Sequence, residues 1–182
     1  GEKELRTDVV IVGTGAAGLF AALHLPRDKK VLMITKADVE SSDSFLAQGG
    51  ICVLRDESDY ESYFEDTMRA GHYENREESV DIMIRSSRDV IRELIGLGVE
   101  FEKKKPETEK RIQSKENNFL EDYAFTREGA HSGCRILFHE DVTGKEITGK
   151  LLKQVRRLEN VKILEYTTMT DILEADAEEH VM

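Results

Sequence analysis

The chain has 182 residues, 39% of them hydrophobic and 35% charged, with a net charge of −11. That is the length of one domain with a real core. No stretch approaches the roughly 18 apolar residues of a membrane span, and the acidic balance excludes a nucleic-acid surface, which needs clustered Lys and Arg. Cys52 and Cys134 stand in unrelated contexts and indicate neither a disulfide framework nor a zinc site, so no metal is expected. Residues 1–6 are charged and lack the apolar stretch of a signal peptide, which makes the cytoplasm the expected location.

In chain order, an apolar strand over 8–12 runs straight into Gly13-Thr14-Gly15-Ala16-Ala17-Gly18 and then an Ala/Leu-rich helix over 16–25. This Gly-x-Gly-x-x-Gly turn, placed between strand and helix, predicts a dinucleotide diphosphate site. Gly13 allows the tight turn, Gly15 lets the backbone approach the phosphates, and Gly18 lets the helix pack close to its strand. The free N–H groups from Ala16 onward face the anion, where the helix dipole also favours negative charge. Pro26-Arg27-Asp28 ends the helix and a second strand covers 30–35, so residues 8–36 form a parallel βαβ unit of an α/β, Rossmann-like fold.

The segment 41–51 is small and polar at first, then ends in Gly49-Gly50, as if lying against something flat. Helices fill 58–98. Ser58-Asp59-Tyr60-Glu61 reads as a capping box opening the first, which stops at Gly71. The second starts near Glu77 and carries a core stripe of Val80, Met83, Ile84, Ser87, Ile91, Leu94 and Ile95. Residues 102–118 read as a polar surface loop. Thr143-Gly144-Lys145-Glu146 reads as another capping box, with Ile147, Leu151, Val155 and Leu158 on the buried face behind it. A third parallel strand follows over 161–166, which closes a unit spanning 143–167, and a further strand begins at 171–175.

In the simplest fingerprint an acid at the end of the second strand holds the ribose. Here Lys36 stands there, which suits a phosphate, as in a 2′-phosphorylated nicotinamide nucleotide; Asp38 and Glu40 read as ordinary loop acids. The next segment favours a different nucleotide. Thr35-Lys36 followed by Ser42-Asp43-Ser44-Phe45-Leu46-Ala47-Gln48-Gly49-Gly50 resembles the flavoprotein family of L-aspartate oxidase and the succinate dehydrogenase and fumarate reductase flavoprotein subunits. The resemblance implies a glutathione-reductase-like FAD domain in which this loop wraps the isoalloxazine ring. It also implies that FAD is held non-covalently, because the position of the flavin-linking histidine of the respiratory subunits is Asp43.

A second block, Thr126-Arg127-Glu128-Gly129-Ala130-His131-Ser132, lies in the segment 119–142, assigned to the substrate side. It resembles the aspartate oxidases within that family. The resemblance puts Glu128 near the α-ammonium of L-aspartate, with Arg127 and His131 as further candidates at the substrate site, and puts Thr168 and Met169 beside the adenine. The plainer alternative for Glu128 is an ion pair with Arg127 or Arg135.

The resemblance covers only the front of that family's fold. The chain is therefore expected to be a fragment, with the capping and C-terminal helical domains absent and an apolar sheet edge that promotes self-association. It implies oxidation of L-aspartate to iminoaspartate with O2 or fumarate as acceptor, at the start of quinolinate and NAD synthesis, with quinolinate synthase as a partner. A fumarate-reducing or succinate-oxidising subunit, a nicotinamide-dependent reductase and a non-catalytic nucleotide-binding module are the alternatives.

Overall fold

The computed structural model describes residues 4–105 and 118–174. In chain order the elements are β1 (Val9–Val12), α1 (Ala16–His24), β2 (Val31–Ile34), α2 (Asp43–Leu46), β3 (Ile51–Cys52), α3 (Tyr60–Ala70), α4 (Glu77–Gly96), β4 (Ile136–Leu137), α5 (Thr143–Val155) and β5 (Val161–Leu164). The three long strands form one parallel sheet in the order β1-β2-β5, with Val9 opposite Val31 and Val31 opposite Val161. The pair β3 and β4 makes a separate antiparallel ribbon. The fold is the α/β type with a parallel sheet that was expected, and no described helix is long and apolar enough to cross a membrane.

Alternation along the strands sorts the side chains. Val9 and Ile11 of β1 and Val31 and Met33 of β2 point into a core that includes Leu19 and Ala22 of α1, Ile91 and Leu94 of α4, and Leu151 and Val155 of α5. Each large aliphatic chain buried there contributes roughly 1.5–3 kcal/mol. Val10 and Val12 point to the other face and are 52% and 55% exposed. Gly18 makes the close approach of α1 possible: a Cβ there would lie 2.3 Å from the Gly13 carbonyl oxygen and 3.2 Å from Ile11 Cγ2.

Both predicted capping boxes dissolve into tertiary bonds. Before α3, Asp56 accepts from the Ser58 N–H and caps a short 3-10 turn, while Asp59, at the α3 N-cap, makes no capping bond because its carboxylate is taken by Arg135. At α5, Thr143 Oγ1 accepts from the His139 N–H at 2.9 Å and Glu146 Oε1 accepts from the Glu100 N–H at 2.9 Å. These bonds tie α5 to neighbouring segments rather than to its own first turn. The α4 stripe holds at Val80, Ile84, Ser87, Ile91 and Leu94, but Met83 is 46% exposed and faces a cavity. Residues 171–174 carry no strand, and Ala175 and most of the polar loop 102–118 lie outside the described residues.

Candidate active site

The dinucleotide end is a cleft of about 340 Å³ at the carboxyl ends of β1 and β2. Gly13, Thr14, Gly15, Lys36, Asp43, Thr168 and Met169 all line it, so seven of the predicted cofactor residues converge from four separate stretches of chain. Gly13 adopts φ +108°, a conformation that L side chains avoid. No side chain caps α1, whose first N–H groups, at Ala16, Ala17 and Gly18, lack intrahelical partners. Thr14 is buried and its hydroxyl has no hydrogen-bond partner. Asp38 accepts from the Glu40 N–H and Glu165 from the Val39 N–H, both loop-ordering roles.

The segment 42–50 leaves this cleft and ends at a second, larger cavity. Ser42 caps α2 through the Phe45 N–H, Ser44 lies against Gly15, and Leu46, Ala47 and Gln48 are exposed. A Cβ on Gly15 would sit 2.9 Å from Ser44 Oγ. On the other side the segment rests on α5, where the Gly144 N–H donates to the Ala47 carbonyl at 2.9 Å. A Cβ on Gly144 would meet the Ser44 carbonyl oxygen at 2.2 Å. Gly144 therefore sets the height of the segment, a role that its place in a helix start gave no sign of.

The second cavity has a volume of about 700 Å³ and is walled by Gly49, Gly50, α3, α4 and the loop carrying Glu128, Gly129, Ala130 and His131. The two glycines differ in purpose. A Cβ on Gly50 would lie 2.2 Å from Ile136 Cγ2 and 2.3 Å from the Leu137 carbonyl oxygen, so Gly50 is required by packing on β4. Gly49 faces Glu128, whose Oε2 is 3.1 Å from where a Cβ would be.

Arg135 organises the loop. It is fully buried, and each of its five N–H bonds has an acceptor. Nε and Nη2 reach the two Asp59 oxygens at 3.0 and 2.7 Å, Nη2 also reaches Ser62 Oγ at 2.6 Å, and Nη1 reaches Asp66 Oδ2 at 2.7 Å and His131 Nδ1 at 3.0 Å. The Tyr63 ring covers the guanidinium at 5.0 Å. Burial opposes the Arg135 charge, but the bonds to Asp59 and Asp66 outweigh it and hold the group protonated.

Burial likewise opposes ionisation of Asp66. The Ser132 N–H at 2.6 Å, Arg135 and the Ser132 hydroxyl nonetheless hold its carboxyl well below the usual range. Its other oxygen accepts from Arg69 at 2.6 Å. The network staples residues 130–135 to α3.

Glu128 is left out of this network. Arg135 is spent on the two aspartates, Arg127 is exposed and absent from the cavity wall, and no ion pair involves Glu128 among the described residues. The expected alternative of an Arg pair is therefore not formed. His131 Nε2 lies 3.2 Å from Cys52 Sγ, and burial together with Arg135 lowers the His131 pKa. Burial also pushes the Cys52 thiol and the Tyr63 phenol up, so both are neutral.

A family model described as FAD binding domain matches residues 8–181. The chain belongs to the FAD binding domain family. FAD is the cofactor of that family, which decides against the nicotinamide reading of Lys36, and the residues fit it. The unpartnered Thr14 hydroxyl, the uncapped α1 and the open space at Gly13 match what a diphosphate needs.

Among curated relatives, L-aspartate oxidase of Clostridium perfringens is 45% identical over 165 residues, 91% of this chain and 34% of its own length. That of Clostridium acetobutylicum is 38% identical over 94% of this chain and 36% of its own. This FAD binding domain thus spans about a third of the length of the relatives it matches.

Among solved structures, the Mycobacterium smegmatis Sdh1 complex superposes with a TM-score of 0.75 at 23% identity, over 93% of this chain and 29% of that one. A variant of the FrdA subunit of Escherichia coli quinol fumarate reductase gives 0.76 at 21%, over 91% and 26%. At those identities the likeness is one of fold.

Proposed function

We propose that this FAD binding domain belongs to an L-aspartate oxidase, which converts L-aspartate to iminoaspartate with O2 or fumarate as the terminal acceptor and so supplies quinolinate and NAD synthesis. The observation that carries the reading is the unpaired Glu128 carboxylate facing Gly49 at the rim of a largely apolar cavity. A site for succinate or fumarate alone needs cations, whereas an amino acid also presents an ammonium group, for which a carboxylate is the matching partner. No Lys or Arg lines this cavity among the described residues, so these residues suit the ammonium end. Groups for the two carboxylates come from elsewhere in a longer protein. The identities of 45% and 38% to aspartate oxidases support the same assignment.

Each residue then has a task. Bound FAD supplies the two-electron acceptor. Gly13, Gly15 and the start of α1 would hold its diphosphate, with Lys36 toward the nucleotide, Thr168 and Met169 toward the adenine and residues 44–50 toward the flavin ring. Glu128 would hold the substrate ammonium and so fix the position of Cα in the cavity. The apolar walls from Ile51, Met83 and Val90 exclude water, which strengthens the ammonium–carboxylate attraction. His131, held neutral, adds no competing positive charge, and Arg127 lies outside the wall.

At Asp43 the loop offers the flavin no imidazole for a stable covalent link, so FAD should be released into the filtrate when the protein is denatured. The test is an absorption spectrum of the full-length protein with FAD, followed by L-aspartate under anaerobic conditions. Bleaching supports the reading. A spectrum that succinate bleaches and L-aspartate does not assigns the chain instead to the succinate-oxidising branch, and one that neither bleaches leaves a nucleotide-binding module.

A further inference from the structure

Every donor on Arg135 is spent, and one of them determines the chemical form of His131. An arginine can only donate, so His131 Nδ1, 3.0 Å from Arg135 Nη1, must present its lone pair. The single proton of the neutral ring then sits on Nε2 and points at Cys52 Sγ, 3.2 Å away in the cavity wall. A thiol sulfur is a weak acceptor, so this N–H is only lightly engaged.

We propose that Arg135 is a positioning residue for the cavity: it fixes His131 as the Nε2-protonated tautomer, which presents a hydrogen-bond donor to a ligand oxygen beside Glu128. The link to a ligand rests on reading the cavity as the aspartate site; the tautomer does not.

The groups facing His131 come from several elements. Arg135 approaches Nδ1, and Asp66 and Asp59 lie behind the guanidinium on and before α3. Cys52 approaches from β3, and the Tyr63 ring packs edge-on at 5.8 Å. Burial and the Arg135 charge lower the His131 pKa, while the two aspartates, largely neutralised by Arg135, raise it less. Removing the guanidinium reverses the balance, because the nearest positive charge is lost while Asp59, left without a cation, and Asp66, still paired with Arg69, remain.

The experiment is a long-range 1H–15N correlation of histidine-labelled, FAD-loaded full-length protein, recorded across pH without substrate. The expected wild-type result is a bare Nδ1, a protonated Nε2 and a midpoint below that of free histidine. A wild-type His131 that is Nδ1-protonated or cationic at neutral pH overturns the proposal, whether or not any variant folds.

In Arg135→Met the midpoint should rise above that of wild type, and an acid limb should enter the pH profile of aspartate kcat/KM at the same position. Asp59→Asn, which leaves Nη1 on His131, should keep the wild-type tautomer. A variant that is merely slower at every pH, with the His131 signals unchanged, makes Arg135 structural only and overturns the proposal. Because the tautomer is read without substrate, failure of L-aspartate to bleach the flavin counts against the substrate reading alone.

Discussion

The two ends of the segment 42–50 offer different surfaces. The dinucleotide cleft presents main-chain groups of a turn, and side chains there matter chiefly by being absent, as at Gly13. The large cavity presents side chains: His131, fixed by a buried guanidinium whose partners Asp59 and Asp66 are 76 and 69 positions away in sequence, and Glu128, which stands outside that network. A backbone site needs only local geometry, whereas a side-chain site depends on distant groups arriving together. The first should tolerate polar substitutions nearby and resist any added volume. The second should tolerate volume at its rim and fail when one charge is removed.

The largest effect should come from breaking the second region at its hub. Arg135→Met strips Asp59 of its cation and leaves Asp66 with Arg69 alone, which costs about 3–5 kcal/mol and is measured as a fall in the denaturation midpoint. Adding Asp66→Asn to that variant should recover part of the loss.

Acid should act on the same hub. Asp66 is depressed in the folded state, so its contribution is present above the ordinary carboxylate pKa of about 4 and is lost as pH falls through the lower folded value. Asp66→Asn should therefore flatten the decline in stability below that pH. An unchanged slope would place the acid-sensitive group elsewhere.

Breaking the first region takes volume rather than charge. In Gly18→Val the new Cβ meets the Gly13 carbonyl oxygen at 2.3 Å, and backbone cannot yield as a side-chain tip can. The strain is about 3 kcal/mol, and FAD affinity by fluorescence titration should fall about 100-fold. A much smaller loss would mean that α1 can back away from β1.

Thr14→Val sharpens the comparison with the smallest change. Without cofactor it removes an unpartnered buried hydroxyl and should leave stability level or slightly higher. With FAD bound it should cost about 1 kcal/mol if that hydroxyl serves the cofactor.

This division also explains what could be read in the chain. The βαβ unit, the third parallel strand and the dinucleotide residues follow from periods and glycines within short stretches, and the structure brings most of them to one cleft. Glu128 was visible only through its motif, and its lack of a partner was not, because that depends on where Arg135 points. Arg135 stands beside the apolar pair Ile136-Leu137, a hint of burial, yet nothing local reveals that Asp59 and Asp66 meet it. The capping boxes failed in part for the same reason: Asp59 and Glu146 each found a long-range partner, while Thr143 was taken by the preceding turn at His139. Gly49-Gly50 read as the end of a segment lying against something flat, and what the sequence did not reveal is that the bareness of Gly50 is required by packing on β4.

The account turns on Glu128 as the carboxylate that meets an ammonium group. Its most direct test is Glu128→Gln in the full-length protein, with aspartate oxidation and fumarate reduction measured on the same preparation. Loss of a charge-assisted hydrogen bond predicts that kcat/KM for L-aspartate falls about 10- to 100-fold while fumarate reduction changes little. Equal losses in both reactions would contradict the assignment.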